Sequence, residues 1–404
     1  MRGRRVLGTI GVALLLAALT ANVPARRATA AALTGATVAV IGDYGVDSTA
    51  ESNVATMVAG WSPDAVVTVG DNYYTSSAAT GTDRYDLVVG KYYCAFLKGA
   101  ATGPNCAGGT AAGGVNRFFP ATGNHDYSDG GISNYTSYFA LPSNERYYSQ
   151  VVGDVEFFFV DSEACLNLVG ASTEVATEKA WLQSALAAST TAWQVVVFHH
   201  PPYSSSSTHG SSTGMRWDFS TWGADLVLSG HDHTYERLSA GGLTYVVNGL
   251  GGAGTYAFGT PLTESLVRYN ENWGALKLVS SPTALTGSFY AIGVADPIDT
   301  FSVSSFGPRP AAFAKSSPSR NAKQVSRTPT LTWGASTGAT NGYEYCFDAT
   351  VNSACDGSWV ATSSTSASPT LLSKKTYEWQ VRALNASGET YANGGTWWKF
   401  TTVR

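Results

Sequence analysis

The stretch VVTVGDNYY, residues 66–74, is a run of apolar, mostly β-branched residues that ends at a glycine and continues at once into a polar and aromatic loop. Such a run is typical of a buried strand. Gly70 or Asp71 alone could form the turn that ends the strand, so turn chemistry leaves the paired tyrosines of this loop unexplained. The stretch therefore predicts a buried strand whose loop has a further purpose.

Six other short runs share this composition and also end in a glycine or a polar cluster. Helix-like segments separate several of them, the clearest being residues 172–189, where Val175, Lys179, Leu182 and Leu186 share one face. This alternation predicts an α/β core, and the change to strands without helices between residues 273 and 303 predicts antiparallel members. The six runs are ATVAVIGDYG (36–45), FFPATGNHD (118–126), VEFFFVDSE (155–163), WQVVVFHHPP (193–202), ADLVLSGHDH (224–233) and LTYVVNGLGG (243–252).

The chain's two ends differ from this core. Arg2, Arg4 and Arg5 precede an uncharged apolar stretch, and an Ala-Thr-Ala pattern ends at residue 30, which predicts a signal peptide over residues 1–30 and a secreted, extracellular or cell-wall-associated protein. The apolar stretch is short for a membrane span, so no stable span is expected. With a net charge of −4 before the arginine-rich leader is removed, the chain lacks the basic face that a nucleic acid partner requires.

Residues 307–326 contain three prolines and no apolar periodicity, which predicts a linker after a catalytic domain at 31–306. Beyond it, four strand-like runs in residues 327–404 predict a small β-sandwich. By strand pattern and size this unit resembles a fibronectin type III module, and we expect it to act as a spacer or to bind cell-surface or polysaccharide material.

Export permits disulfides. Cys94 with Cys106, and Cys346 with Cys355, are the simplest pairs among the five cysteines, which leaves Cys165 unpaired.

Polar residues that can bind metal ions follow most of the predicted strands. Because ligands gather at the carboxyl ends of strands in a sheet of this kind, we expect these groups to meet at one edge of one sheet. Carboxylates and imidazoles together suit iron, zinc or manganese. His231 and His233, two apart on an extended segment, should point the same way. The candidate ligands from these strand ends are Asp43, Asp71, Asn124, His199, His231 and His233.

Each candidate also has a simpler interpretation. Asp43 could be a cap or turn residue, Asn124 could occupy a left-handed turn, and the pair His199 and His200 could be one core and one surface histidine. All of these separate explanations would have to hold at the same sheet edge, so a metal site is the better hypothesis.

At these residues the chain resembles the calcineurin-like metallophosphoesterases, and within them the purple acid phosphatases of the tartrate-resistant type. The resemblance covers roughly residues 36–303 and implies an α/β fold, a β-sandwich of mixed sheets flanked by helices. It implies that Asp43, Asp71, Tyr74 and His233 bind one metal ion, and that Asp71, Asn124, His199 and His231 bind the second. The motifs that carry it, in the family's order, are GDYG (42–45), GDNYY (70–74), GNHDY (123–127), HHPPYSS (199–205) and GHDHTYER (230–237).

The resemblance also offers an explanation of the tyrosine pair. Tyr74 fits the DxxY spacing of the purple enzymes, whereas Tyr73 does not and is expected to pack against the strand. A phenolate favours Fe(III), so the implied cofactor is a dinuclear centre of Fe(III) with Zn, Mn or Fe(II). The implied function is a secreted acid phosphatase in which a metal-bound hydroxide attacks small phosphate monoesters.

Four further residues receive roles beside the metal ions. The resemblance gives His125 contact with the substrate phosphate, and His209, in SSSSTHG, is a looser match for a second proton donor that could equally be a solvated loop histidine. His200 is expected to orient a ligand through its second ring nitrogen, and Tyr203 to lie on a loop over the site that influences substrate choice.

Two other functions stay open. The same fold could be a di-zinc or di-manganese phosphodiesterase or nucleotidase. Alternatively, the chain could be a cell-surface binding protein with an inactive phosphoesterase domain, although the sequence retains the full ligand set.

Overall fold

A computed structural model describes residues 35–74, 80–99, 103–128, 131–170, 174–303, 310–385 and 388–404. The predicted signal peptide lies outside these residues. Within the described ranges, no helix combines the length and the apolar composition needed to cross a membrane.

The front part of the chain contains two mixed sheets. The first has the strand order β13-β12-β11-β1-β2-β3, and the second has the order β10-β8-β9-β7-β6-β5-β4. The strands are β1 (Thr37–Ile41), β2 (Ala65–Thr68), β3 (Phe118–Pro120), β4 (Tyr148–Val152), β5 (Val155–Phe159), β6 (Trp193–Val197), β7 (Leu226–Ser229), β8 (Tyr235–Ala240), β9 (Leu243–Asn248), β10 (Ser265–Tyr269), β11 (Gly274–Ser281), β12 (Ala284–Ala291) and β13 (Asp299–Val303).

The two sheets share one hydrophobic core. Strands β1, β2 and β3 run parallel, as do β5, β6, β7 and β9, while β11, β12 and β13 are antiparallel as predicted. Alternate residues of β1, such as Val38 and Val40, pack in the same cluster as Phe157 and Val195 of the second sheet. Each such side chain contributes about 1.5–3 kcal/mol when fully buried, so the sandwich holds its parallel strand ends in fixed positions.

Helices cover the outer faces of the sheets. Helix α1 (Thr49–Gly60) is capped by Ser48, whose hydroxyl oxygen accepts the Glu51 N–H at 3.1 Å. Helix α6 (Glu174–Ala188) buries Leu182 and Leu186, as its periodicity predicts. The shorter α-helices are α2 (Asp83–Tyr85), α3 (Lys91–Tyr93), α4 (Ser133–Tyr138), α5 (Ser162–Cys165) and α7 (Phe219–Trp222), and a π-helical segment covers Asp86–Gly90. The predicted fold class is confirmed.

The C-terminal region is all β. A three-stranded sheet has the order β14-β16-β19, and a larger sheet has the order β15-β22-β20-β17-β18, with β21 paired to β20. The strands are β14 (Lys315–Ser317), β15 (Ala322–Val325), β16 (Leu331–Trp333), β17 (Tyr343–Asp348), β18 (Val360–Thr362), β19 (Ser366–Ala367), β20 (Thr376–Asn385), β21 (Gly388–Tyr391) and β22 (Trp398–Thr402). The fibronectin type III resemblance stays a prediction.

Strands β14 and β15 lie inside the predicted linker at 307–326 and pair with β16 and β22, while the predicted domain boundaries stay a prediction. Strands this short and polar carry too little apolar periodicity to be seen in the sequence. Both predicted disulfides, Cys94–Cys106 and Cys346–Cys355, are present, and Cys165 is free and buried.

Candidate metal centre

The predicted ligands lie where strands of both sheets end. Asp43 and Asp71 follow β1 and β2 of the first sheet, whereas His199 and His231 follow β6 and β7 of the second. The prediction that they share an edge of one sheet is therefore wrong, because the two layers of the sandwich bring their parallel strand ends to a common rim. Backbone hydrogen bonds join the loops, from Asp43 N to Gly70 O at 3.2 Å within the first sheet and from Gly230 N to His199 O at 2.9 Å within the second.

Three of these residues have a left-handed backbone conformation. Asp43, Asp71 and His231 have φ of 54°, 52° and 68°, a region that costs most non-glycine residues free energy and that concentrates at functional sites. The extended segment predicted around His231 and His233 is thus a turn. Both histidines nevertheless point toward the other candidate ligands, because the left-handed turn changes the direction of the His231 side chain.

The glycines before the ligands provide space. A Cβ on Gly70 would lie 2.5 Å from Nδ1 of His199, one on Gly123 would lie 2.4 Å from Oδ1 of Asp71, and one on Gly230 would lie 2.5 Å from Oδ2 of Asp43. Each of these glycines therefore admits a candidate ligand from another loop.

One group of donor atoms surrounds the phenol of Tyr74. Its oxygen lies 3.3 Å from Oδ1 of Asp43 and 3.1 Å from Nε2 of His233, and these last two atoms are 3.5 Å apart. The other ring nitrogen of His233 contacts the carbonyl of Gly254 at 2.5 Å. The neighbouring Tyr73 is buried and packs against Tyr85, as expected of a core residue.

A second group forms around Nε2 of His199. This atom lies 3.1 Å from Oδ1 of Asn124 and 3.2 Å from Nδ1 of His231. Its partner nitrogen, Nδ1, contacts the carbonyl of Val69 at 2.9 Å, which fixes the orientation of the ring.

Asp71 lies between the two groups. Its Oδ2 is 3.4 Å from Nε2 of His199, and Asp43, Asp71 and His199 each offer a ligand atom within 4.8 Å of the others. Seven oxygen and nitrogen donors in two groups, with one carboxylate between them, fit a pair of hard or borderline cations.

The local charges bear on which groups hold protons. Burial raises the pKa of Asp71, but the His199 imidazole outweighs it and holds that pKa below its ordinary value. Burial lowers the pKa of His199, yet the Asp71 and Asp43 carboxylates raise it to about 10. Burial and the neighbouring His199 lower the pKa of His231 far below its ordinary value. Asp71 thus stays ionised and His231 stays neutral, the forms that bind metal ions, whereas His199 has to release a proton when a metal ion binds.

The three remaining histidines lie next to these groups. The His125 ring stands 4.2 Å from the Tyr74 ring and is 35% exposed, so it is open to a substrate. The exposed His209 ring stacks on His231 at 4.0 Å. Nδ1 of His200 contacts Ser162 Oγ at 3.0 Å and Glu163 Oε1 at 3.1 Å, with its ring 4.2 Å from that of His231.

Tyr203 does not fit its predicted role. Its ring lies 5.0 Å from the Tyr245 ring, and the Arg216 guanidinium lies over it at 4.2 Å. Tyr203 and Tyr245 belong to the hydrophobic cluster on the outer face of the second sheet. Ser204 and Ser205 are also buried. The apolar body of the tyrosine is thus turned to the core, so it does not overhang the site.

Sequence reasoning missed three supporting residues, two aspartates and one tyrosine. Asp126 accepts hydrogen bonds from the Gly123 N–H at 2.8 Å and from Tyr85 at 3.0 Å, and Asp232 contacts the loop that carries His209. Both acids stand inside quoted motifs, so the residue type was a signal. Tyr256 stacks on His233 at 4.0 Å with 10° between the rings, and no motif pointed to it.

A cavity of about 480 Å³ opens beside the first donor group. Tyr74, His233 and Tyr256 form one part of its lining, with Val46 and Ala253 to Thr255 forming the rest.

Comparison with known proteins agrees with this geometry. Residues 36–235 match the family model described as calcineurin-like phosphoesterase. An uncharacterized protein of Mycobacterium tuberculosis is 29% identical over 145 residues, 30% of this chain and 27% of that protein. Purple acid phosphatase 15 of Arabidopsis thaliana is 31% identical over 140 residues, 29% of this chain and 25% of that protein. The matched part spans about a quarter of the length of these curated relatives.

Two solved structures share the fold. GAP50, the anchor in the inner membrane complex of Plasmodium, has a TM-score of 0.51 at 17% identity, covering 67% of this chain and 89% of that one. Purple acid phosphatase PPD1 from yellow lupin (Lupinus luteus) seeds has a TM-score of 0.50 at 17% identity, covering 67% of this chain and 54% of that one. The chain therefore has the metallophosphoesterase fold, and residues 36–235 are similar to the calcineurin-like phosphoesterases.

Proposed function

We propose that this protein is a secreted acid phosphatase that hydrolyses small phosphate monoesters at a dinuclear centre of Fe(III) and a divalent ion. The observation that carries the proposal is the phenol oxygen of Tyr74 within 3.3 Å of Asp43 Oδ1 and 3.1 Å of His233 Nε2. A phenol among the donors distinguishes a ferric site from one made of carboxylates and imidazoles alone. The two disulfides support export to an oxidising compartment.

In this proposal Asp43, Asp71, Tyr74 and His233 would hold the ferric ion, and Asp71, Asn124, His199 and His231 would hold the divalent ion. Two cations held there would attract the phosphate oxygens and lower the pKa of water.

The protein's own groups then bind and orient the ester. His125, open to solvent beside Tyr74, donates to a phosphate oxygen. His209, stacked on His231, gives a proton to the departing alkoxide oxygen. His200, whose Nδ1 faces Ser162 and Glu163, supports the ring of His231 from behind.

The test is the visible spectrum of the purified protein. We expect a charge-transfer band with bound iron, and loss of that band in Tyr74→Phe. Tyr73→Phe is the matched control, because this adjacent tyrosine packs in the core and should keep the band. An active protein with no iron and no band would reject the proposal.

Assays of monoester against diester substrates separate the proposal from a di-zinc or di-manganese phosphodiesterase. A preference for diesters together with zinc or manganese alone in metal analysis would favour that alternative.

A further inference from the structure

Asp232 stands between the two candidate ligands His231 and His233, yet its carboxylate contacts a different part of the chain. The residue is fully buried. Its Oδ2 accepts hydrogen bonds from Ser204 Oγ at 2.6 Å and from the Gly210 N–H at 3.1 Å, and its Oδ1 accepts the His209 N–H at 3.2 Å. All three donors belong to one loop, residues 204–210.

The backbone of Asp232 is itself held in place. Its N–H donates to Gly230 O at 2.8 Å, and its carbonyl accepts the Thr234 N–H at 2.6 Å. A Cβ on Gly249 would lie 2.3 Å from this carbonyl oxygen, so the neighbouring strand end packs directly against it. The carboxylate is therefore a fixed anchor for the loop.

The loop ends next to the candidate metal ligand His231. His209 is exposed, and its ring lies 4.0 Å from the His231 ring at 28° and 5.7 Å from Tyr256. Little burial constrains this ring, so its place depends on the backbone bonds at His209 and Gly210. Three donors from this one loop converge on the Asp232 side chain, which suits this anchoring.

We propose that Asp232 is the positioning residue for His209: it ties the loop of the proton donor to the same segment that supplies His231 and His233. The inference rests on the proposed function. It adds that the distance between the donor and the metal-binding histidines is set by one buried carboxylate.

The first variant is Asp232→Asn. A carboxamide has one oxygen, so it can accept from His209 N–H or from Gly210 N–H but leaves the other facing an NH₂ group. We expect the variant to fold, which its melting curve would check, and to lose the fixed position of His209.

Leaving-group selectivity measures that loss. A proton donor matters most for an alkyl phosphate, whose alkoxide leaves poorly, and least for 4-nitrophenyl phosphate. We expect Asp232→Asn to lower kcat for the alkyl ester about tenfold more than for the aryl ester, within the range of general acid catalysis, with KM changed less. Equal losses on both esters would overturn the proposal.

Glu236→Gln is the matched control. Glu236 is also buried and holds the same loop, accepting Ser205 N–H at 2.7 Å and the hydroxyls of Ser205 and Ser265 at 2.6 Å, but it has no bond to His209. We expect it to leave the ratio of the two esters unchanged. The same selectivity change in both variants would mean that the loop responds to any loss of packing.

A double variant tests whether Asp232 acts through His209. If it does, adding Asp232→Asn to His209→Ala changes the ester ratio no further, because the two substitutions remove one function. Additive changes in the ratio would overturn the proposal.

Hydrogen exchange gives a readout that needs no activity. The amides of His209 and Gly210 should exchange faster in Asp232→Asn than in the wild type or in Glu236→Gln. If the protein hydrolyses neither ester, the proposed function fails, while this measurement still decides the anchoring: unchanged exchange at both amides would overturn it.

Discussion

The side-chain amide of Asn72 donates a hydrogen bond to Oδ2 of Asp126 at 2.9 Å, which joins the loops after β2 and β3. Oδ1 of Asn72 accepts the hydroxyls of Tyr44 at 2.9 Å and Thr68 at 2.6 Å. The loop after β2 carries Asp71, and the loop after β3 carries Asn124. The buried Asn72–Asp126 pair therefore sets the distance between these two candidate ligands.

We expect Asp126→Ala to reduce metal affinity about 10- to 100-fold, the usual effect of removing a group that orients ligands. The substitution frees the Gly123 N–H and the Tyr85 hydroxyl as well as Asn72. Titration of the chelator-stripped protein with Zn²⁺ measures the change. Wild-type affinity in this variant would show that the loops hold their positions without the pair.

Metal binding should stabilise the fold. A cation at a hundredfold excess over its Kd adds about 2.7 kcal/mol to the free energy of unfolding. We expect Zn²⁺ to raise the melting temperature of the stripped protein and Asp71→Asn to abolish most of that rise. Asp64→Asn, a change at an exposed residue just before β2, should keep it. An equal rise in Asp71→Asn would argue against the site.

Glu178 on α6 should make stability depend on pH. Burial, with the neighbouring Asp161, raises its pKa to about 8, against an ordinary value of 4.5. The folded protein therefore holds a proton that the unfolded chain releases, so the free energy of unfolding falls as pH rises from about 4.5 to 8, by at most about 1.4 kcal/mol per pH unit. Glu178→Gln should lose this part of the slope in urea unfolding at pH 5 and pH 8; an unchanged slope would contradict the assignment.

Tyr256 should strengthen metal binding at His233 through its stack on that ring. A stacked aromatic pair contributes about 0.5–1.5 kcal/mol, so we expect Tyr256→Ala to weaken metal binding by up to about tenfold. Tyr256→Phe keeps the ring and should keep the affinity. If Tyr256→Phe weakens binding as much as Tyr256→Ala does, the hydroxyl group rather than the stack is responsible; wild-type affinity in both variants would contradict a role for the residue.

The sequence allowed the strands and the candidate ligands to be predicted because both depend on local pattern. The apolar run before Asp71 is a strand wherever it lies, and a histidine or aspartate after such a run comes to a sheet end. Which sheet each strand joins depends on pairing across the chain, so the rim shared by two sheets could not be predicted. The left-handed turn at His231 could not be predicted either, because it also depends on contacts between distant parts of the chain.

The supporting residues show a second limit. Asp126 and Asp232 stand in motifs beside candidate ligands, but a residue type does not reveal which hydrogen-bond donors will surround it. Tyr203 shows the reverse case, because its position next to a histidine motif suggested the site while apolar surface near Tyr245 determined where its ring packs.

The interlocking glycines have a consequence for engineering. Gly70 leaves room for His199, Gly123 for Asp71 and Gly230 for Asp43, so each loop is shaped to the side chain of another. Transplanting a single loop into a foreign scaffold would therefore bring a gap without the group that fills it. A functional graft would have to transfer the whole set of loops together.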